Sequence, residues 1–305
     1  MSEQKETGLK ITMNKPLVEH IYTADPSAHV FNGRIYIYPS HDQDIDFPSD
    51  DEGNQYQMKD YHVLSMGIGD TEVTDHGVVL SLEDIPWASK QLWAPDAAFK
   101  NGKYYFYFPA RDKEGIFRIG VAVGDRPEGP FIPQESFIPG SYSIDPAVFV
   151  DDDGRAYMYF GGLWGGQLQN WQTGTFDKTA QPPAGDELAL GVVVAELSDD
   201  MLTFKAPASE SKILDDTGGL IVLKKKGNAF SKVLGCTNTM AFIIFPILRE
   251  RHTIWCTPHL KARWGRSHTV AVFSSRCWVG LRIILLLSLK ASGICSIMMH
   301  RFPVA

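Results

Sequence analysis

The chain has 305 residues, of which 44% are hydrophobic and 11% are aromatic. This composition is sufficient to bury a hydrophobic core and argues against global disorder. Residues 1–228 contain 19 basic and 35 acidic side chains, a net charge of −16, which argues against nucleic acid or an anionic membrane as a partner.

The N-terminal segment, residues 1–16, is interpreted as a lead-in to the folded region. Its sequence begins MSEQKETGLKITMNK and contains no apolar h-region, so we expect no ordinary signal peptide and a cytoplasmic location. The absence of cysteine before residue 229 fits a reducing compartment.

Three segments of the following region share one plan. Each has an Asp beside a Pro, a short apolar strand, a turn that contains Gly, and a strand rich in aromatic residues. The segments are YTADPSAHVFNGRIYIYPS (22–40), LWAPDAAFKNGKYYFYFPA (92–110) and YSIDPAVFVDDDGRAYMYFGG (142–162). Asn-Gly and Asp-Gly turns between β-rich runs predict a β-hairpin in each segment, because these residues tolerate positive φ.

Further strands are predicted at 116–124 and 191–197, and no long helical period appears. The predicted fold class is all-β. Repeated hairpins that each start near an Asp are typical of the blades of a β-propeller. Three blades cannot close a propeller, which needs four or more, so the repeated region is predicted to be incomplete.

The composition changes abruptly at Ala229. Residues 229–305 contain 10 basic side chains, a single acid at Glu250, no Tyr and all four cysteines. The cysteines form no C-x-x-C pair, so their spacing does not support a zinc site. Two explanations remain: a second, cysteine-containing domain, or a segment translated out of frame.

Reading the codons of this segment one frame over favours the second explanation. In the shifted frame, each codon consists of the last base of one written codon and the first two bases of the next. Met and Trp each have a single codon, so the pairs below that begin with Met or Trp determine the shifted residue completely. The pairs at 240–241, 264–265 and 278–279 force Gly, 255–256 forces Val, 298–299 forces Asp and 299–300 forces Ala. With permitted choices elsewhere, 228–245 can read RFFEGPWVHKYNGIYYFS, which has the hairpin pattern of the upstream repeats. A base gained or lost near LKKKGN (223–228) would produce this shift.

The predicted organisation therefore has two parts after the lead-in. Residues 17–222 form three propeller blades and part of the next, and residues 223–305 form an out-of-frame tail. With the shifted segment restored, the chain resembles glycoside hydrolase family 43, whose members are five-bladed β-propellers that cleave β-D-xylosides and α-L-arabinofuranosides with inversion. The resemblance covers residues 17–222 and rests on the three repeats together with the restored EGPW segment.

The resemblance implies specific roles for two carboxylates. Asp25, on the first inner strand, would be the general base, and Asp145, on the third, would orient the general acid and tune its pKa. The family's general acid is the Glu of EGPW, whose codon would straddle Ser231 and Lys232, so no general acid is expected in the chain as written. Inverting hydrolysis needs both a base and an acid, and we therefore expect the written chain to be inactive.

Three further residues are candidates for substrate binding. Trp93 could stack on a sugar face, although a core position is an open alternative. Asp96 follows its Pro rather than preceding it, so its role could be to brace the blade. His41 ends the aromatic strand of the first repeat and could line the pocket or lie in a solvated loop.

No cofactor or metal is predicted. The acidic run DQDIDFPSDDEG (42–53) has Phe47 where a calcium loop needs Gly and Gly53 where it needs a bidentate acid, so the pattern of an EF-hand fails. We interpret this run as an acidic surface insertion, and no sequence pattern supports a structural calcium ion.

The sequence thus favours a glycosidase acting on terminal xylosyl or arabinofuranosyl residues of hemicellulose oligosaccharides. Two alternatives remain: a carbohydrate-binding propeller without catalysis, and a retaining, fructan-cleaving propeller that uses the first Asp as nucleophile. The expected partner is a small oligosaccharide, and the sequence indicates no oligomeric state.

Overall fold

The computed structural model describes residues 16–211 and four short segments, 230–233, 244–246, 286–289 and 295–298. Most of the tail of changed composition therefore lies outside the described residues, and the prediction that it does not continue the propeller is untested. In the described part, no helix is long and apolar enough to span a membrane.

The described residues from 16 to 211 form three antiparallel sheets in chain order. The first sheet has the order β1 (Tyr22–Phe31), β2 (Arg34–Asp42), β3 (Asp60–Gly67), β4 (Thr74–Ser81). The second has β6 (Asp96–Lys100), β7 (Lys103–Asp112), β8 (Phe117–Gly124), β9 (Ile132–Pro133), with β5 (Ala88–Lys90) also paired to β7. The third has β10 (Ala147–Val150), β11 (Ala156–Phe160), β12 (Val193–Leu197), β13 (Ser209–Glu210).

The remaining elements are short helices and two pairs of short strands. Three 3-10 helices span Leu82–Asp84, Trp164–Gly166 and Leu168–Trp171. In the segments after residue 229, β14 (Phe230–Val233) pairs with β15 (Ile244–Pro246), and β16 (Leu286–Leu289) pairs with β17 (Cys295–Met298).

All three predicted hairpins are present. In the first two, both turn residues have positive φ, namely Asn32 and Gly33 at 51° and 75°, and Asn101 and Gly102 at 53° and 75°, as type I′ turns require. In the third, Gly154 has a φ of 82°. Turn chemistry that is local to each segment therefore selects the hairpin, as the sequence predicts.

The second sheet is buried on both faces. Side chains alternate along β7, so Phe106 and Phe108 pack against the first sheet and Tyr105 and Tyr107 pack against the third. This explains why the run YYFYF (104–108) of β7 is aromatic at every position instead of alternating with polar residues. Two core layers therefore lie on the two sides of the second sheet, and a smaller cluster of Ile35, Ile37 and Leu64 lies on the other face of the first sheet.

Candidate active site

Asp25 lies in a bulge of the innermost strand of the first sheet. The register of β1 with β2 shifts between Ala24 and Ser27, and the Oγ of Ser40 donates a hydrogen bond to the carbonyl oxygen of Ala24 at 3.0 Å. The backbone of Asp25 has a φ of 45°, a left-handed conformation that Asp tolerates better than most residues. The bulge thus redirects the Asp25 side chain relative to the regular strand.

Asp145 has a comparable backbone conformation just before β10. Its φ is 58°, and its side chain is only 5% exposed. The preceding turn is held by Ser143, whose Oγ accepts a hydrogen bond from the Gly162 N–H at 2.9 Å and donates one to the Gly166 carbonyl at 2.6 Å. The loop after β11 therefore fixes the position of Asp145.

Strand register shows which residues of the three repeats are equivalent. Ser27 pairs with Tyr38, Asp96 with Tyr107, and Ala147 with Tyr159, each on the innermost strand and its neighbour. Each first member directly follows the Pro of its repeat. Asp25 and Asp145 therefore occupy the same position before that Pro, and Ala94 occupies it in the second repeat.

Asp96 joins the three sheets. Its side chain is 1% exposed, its Oδ1 lies 2.6 Å from the Nε2 of His29 on β1, and its Oδ2 accepts a 2.6 Å hydrogen bond from the N–H of Val148 on β10. Both carboxylate oxygens therefore have protein partners. This geometry favours bracing, the alternative that the sequence left open, over contact with a substrate.

Trp93 lies between two loops. Its Nε1 donates a 2.9 Å hydrogen bond to the carbonyl of Tyr56, and its ring centroid lies 4.6 Å from that of Phe117. A Cβ on Gly53 would lie 2.4 Å from the ring and one on Gly165 would lie 3.2 Å from it. The ring is half-buried and firmly packed, and its role as a sugar platform stays a prediction.

His41 is paired within the first sheet, and its contact with a substrate also stays a prediction. Its Nδ1 lies 2.5 Å from the Oδ1 of Asp60, and its ring centroid lies 4.8 Å from that of His62.

Asp42, directly beside His41, is a carboxyl group whose electrostatic coupling the sequence did not reveal. Burial and the negative charge of Asp25 raise the pKa of Asp42 above its ordinary value, while His41 acts to lower it. The β1–β2 register pairs Tyr22 with Asp42 and Ala24 with Ser40, which brings the end of β2 beside the segment that carries Asp25. No local sequence pattern indicates this proximity, because it depends on the strand register.

Trp164 is an aromatic residue that the sequence reasoning missed. Its side chain is 43% exposed, and it begins the 3-10 helix whose Gly165 approaches the Trp93 ring. An exposed Trp beside a candidate sugar platform is suited to stacking on a second sugar ring.

The expected position of the general acid, at Ser231 and Lys232, falls in β14, where the structure does not describe side chains. The predicted absence of an acid there is read from the sequence alone.

Comparison with known proteins identifies the family. The profile of glycosyl hydrolases family 43 matches residues 14–213, about two thirds of the chain. The chain belongs to glycoside hydrolase family 43. The resemblance stated from the three repeats is thereby confirmed.

Individual relatives of family 43 agree with this assignment. Over 207 residues the chain is 65% identical to a xylosidase/arabinosidase 43A of Humicola insolens, with 65% of this chain and 63% of the relative covered. It is 53% identical over 208 residues to a xylosidase/arabinosidase of Bacteroides ovatus, covering 68% and 64%. The matches thus span less than two thirds of either relative's length.

Among solved structures, the chain is similar to a family 43 β-xylosidase/α-arabinofuranosidase from a compost microbial metagenome, solved in complex with xylotriose. The TM-score is 0.72 at 41% identity, and the superposition covers 93% of this chain and 96% of that one. The all-β architecture is therefore the one found in family 43 enzymes.

Proposed function

We propose that the protein is a glycoside hydrolase that removes terminal β-D-xylosyl or α-L-arabinofuranosyl residues from short hemicellulose oligosaccharides with inversion. The observation that supports it most directly is the matched placement of Asp25 and Asp145. Both precede Pro in left-handed backbone at the start of an innermost strand, and the Asp96 carboxylate links those strands through His29 and Val148.

The chemistry requires two carboxyl groups on opposite sides of the scissile bond. An inverting glycosidase uses a base to deprotonate water and an acid to protonate the leaving oxygen, with the two groups about 6.5–9.5 Å apart. Asp25 acts as the base in this proposal. Asp145 orients the acid and, as a nearby negative charge, raises its pKa so that it stays protonated.

The acid itself is proposed to be missing from the chain as written. In the restored frame it is the Glu of EGPW, and the restored protein has a five-bladed propeller. The xylosidase/arabinosidase names of the relatives and the xylotriose bound to the compost enzyme support xylose- or arabinose-containing oligosaccharides as substrates. We place the reaction in the cytoplasm, on imported oligosaccharides.

The test uses the frame-restored protein with Asp25→Asn, Asp145→Asn and, as a matched control, Asp44→Asn in the exposed loop after β2. Rates are compared on aryl xylosides with poor and good leaving groups. A good leaving group needs little protonation, so Asp145→Asn should recover part of its rate on it and Asp25→Asn should not. Equal recovery by both variants would contradict the assigned roles.

Product analysis separates the alternatives. NMR of the first-formed anomer should show inversion on a xyloside or arabinofuranoside. Retention with activity confined to fructans, or glycan binding without turnover, would instead support one of the two rival functions.

A further inference from the structure

A His–Asp cluster lies at the edge of the first sheet, outside the proposed pair of catalytic carboxylates. The antiparallel register that pairs Ile37 with Leu64 brings His41 opposite Asp60 when continued to the end of β2. His62 is two residues further along β3 and therefore points to the same face as Asp60. The three side chains are 12–22% exposed, and we name them the blade-edge cluster.

His62 is oriented by a second carboxylate. Its Nδ1 lies 2.9 and 3.1 Å from the two oxygens of Asp75, which places a proton on Nδ1. In the neutral imidazole the lone pair is then on Nε2. Metal-binding histidines are typically held in this way, with the second ring nitrogen donating to a carboxylate.

Asp75 is itself held by two further contacts. Its carboxylate lies 2.6 Å from the Nε2 of His20 and accepts a 2.8 Å hydrogen bond from the N–H of Gly77. The carboxylate that orients His62 is therefore fixed in place.

The Nε2 of His62 and a carboxylate oxygen of Asp60 are two Lewis bases close to each other. They lie 3.9 Å apart, which is beyond hydrogen-bonding distance. One ligand atom each from His41, Asp60 and His62 lies within 4.8 Å of the others. Tetrahedral zinc with bonds of about 2.0–2.1 Å separates its ligands by about 3.3 Å. A zinc ion would therefore replace the 2.5 Å hydrogen bond between His41 and Asp60 and move them slightly apart, while His62 would approach Asp60 from 3.9 Å.

We propose that the blade-edge cluster binds a divalent transition-metal ion of the zinc type, with water as a fourth ligand. Two imidazole nitrogens and one carboxylate favour zinc and its neighbours, whereas calcium and magnesium prefer oxygen ligands alone. The site is distinct from the proposed pair Asp25 and Asp145. It fixes the end of β2, which carries Asp42.

The experiment is a titration of the full 305-residue chain with ZnCl₂ by isothermal calorimetry, and with CoCl₂ by visible absorption. The four cysteines of the tail are alkylated first, because thiolates would also bind these metals. We expect one metal per chain and tetrahedral Co²⁺ bands without thiolate charge transfer. CaCl₂ should not compete.

Three variants test the assignment. His62→Gln should weaken binding at least about tenfold, and Asp75→Asn, which removes the orienting carboxylate, should weaken it about 10–100-fold. His76→Gln is the matched control: His76 lies on β4 and contacts Ser65 at 2.8 Å, so its loss should leave the affinity unchanged. Circular dichroism verifies folding, and His41→Gln replaces His62→Gln should that variant fail to fold.

Several results would overturn the proposal. These are the absence of zinc binding in the wild-type chain, an affinity that His62→Gln leaves unchanged, and equal losses in His62→Gln and His76→Gln. Absence of binding would leave the cluster as a hydrogen-bonded pair of His41 and Asp60, whose Nδ1 and Oδ1 lie 2.5 Å apart.

Discussion

At the scale of single residues, Asp96 links strands of all three sheets. A buried carboxylate is stable only where its oxygens are compensated, and here His29 and the Val148 N–H compensate them from two other sheets. The side chain thus constrains the relative position of Asp25 and Asp145, and its contact with a substrate stays a prediction.

Replacing Asp96 by Ala should lower the free energy of unfolding by about 3–5 kcal/mol, because it leaves buried partners without their acceptor. Urea denaturation of the purified chain measures the change. Asp44→Ala, at an exposed position, should cost no more than about 0.5 kcal/mol. Equal stability of the two variants would show that Asp96 does not brace the sheets.

Asp42 makes the stability of the fold depend on pH. The direction is opposite to that of a carboxylate in an ordinary ion pair, whose contribution to stability increases with pH. The folded pKa of Asp42 is raised above 3.8 by burial and by the charge of Asp25. The folded state therefore resists losing this proton. Stability is complete below the ordinary pKa and decreases as pH rises through the raised value.

Asp42→Asn should consequently be more stable than the parent chain at neutral pH, and the difference should vanish below pH 3.8. Urea unfolding at a series of pH values measures it. Asp44→Asn should show no such dependence. A difference for Asp42→Asn that is constant with pH would refute the raised pKa of Asp42.

At the scale of elements, the loop between β2 and β3 determines the surroundings of Trp93. Residues 44–52 are exposed and acidic, as the interpretation of a surface insertion expects. The loop then turns inward at Gly53, whose carbonyl accepts a 2.7 Å hydrogen bond from Gln91 Nε2. A segment predicted only as surface thereby becomes one wall of the candidate sugar platform.

Gly33 and Gly53 have similar backbone angles but different surroundings. Substituting each by Ala therefore distinguishes the cost of backbone strain from the cost of a steric clash. Gly53 has a φ of +73° and would place a Cβ 2.4 Å from Trp93, whereas Gly33 has a φ of +75° and nothing within 4 Å. Gly33→Ala should cost about 1–2 kcal/mol from left-handed backbone alone. Gly53→Ala should cost more and should shift the tryptophan fluorescence. Equal costs and unchanged fluorescence would mean that the Trp93 ring moves aside freely.

At the scale of the whole molecule, three sequential sheets pack side by side through the second sheet. The described core contains two such interfaces, and no sheet described beyond the third completes a ring. The proposed five-bladed form therefore depends on residues after 211, of which residues 229–305 carry the changed composition in the written frame.

The 305-residue chain should show at least about 10²-fold lower kcat/KM on aryl xylosides than the frame-restored protein, because general acid catalysis alone contributes about 10²–10⁴-fold. Steady-state kinetics of both proteins measure the ratio. Comparable activity of the written chain would refute the frame shift, and the nucleotide sequence across codons 220–232 provides an independent check.

The sequence alone was sufficient for the hairpins, the all-β class and the family. The hairpins and the class depend on local chemistry, namely Gly-containing turns and side-chain alternation, and the family follows from the resemblance of the three repeats. The roles of Asp25 and Asp145 stay predictions.

Only the tertiary structure determined which of the remaining polar and aromatic side chains contact one another. Asp96 meets His29 and Val148 across 67 and 52 residues of chain, and His62 meets Asp75 only through the β3–β4 pairing. The position of Asp96 after its Pro suggested a bracing role, but neither its partners nor the blade-edge cluster has a signature in local spacing. Such contacts depend on the register and packing of sheets, which bring together side chains that the sequence keeps apart.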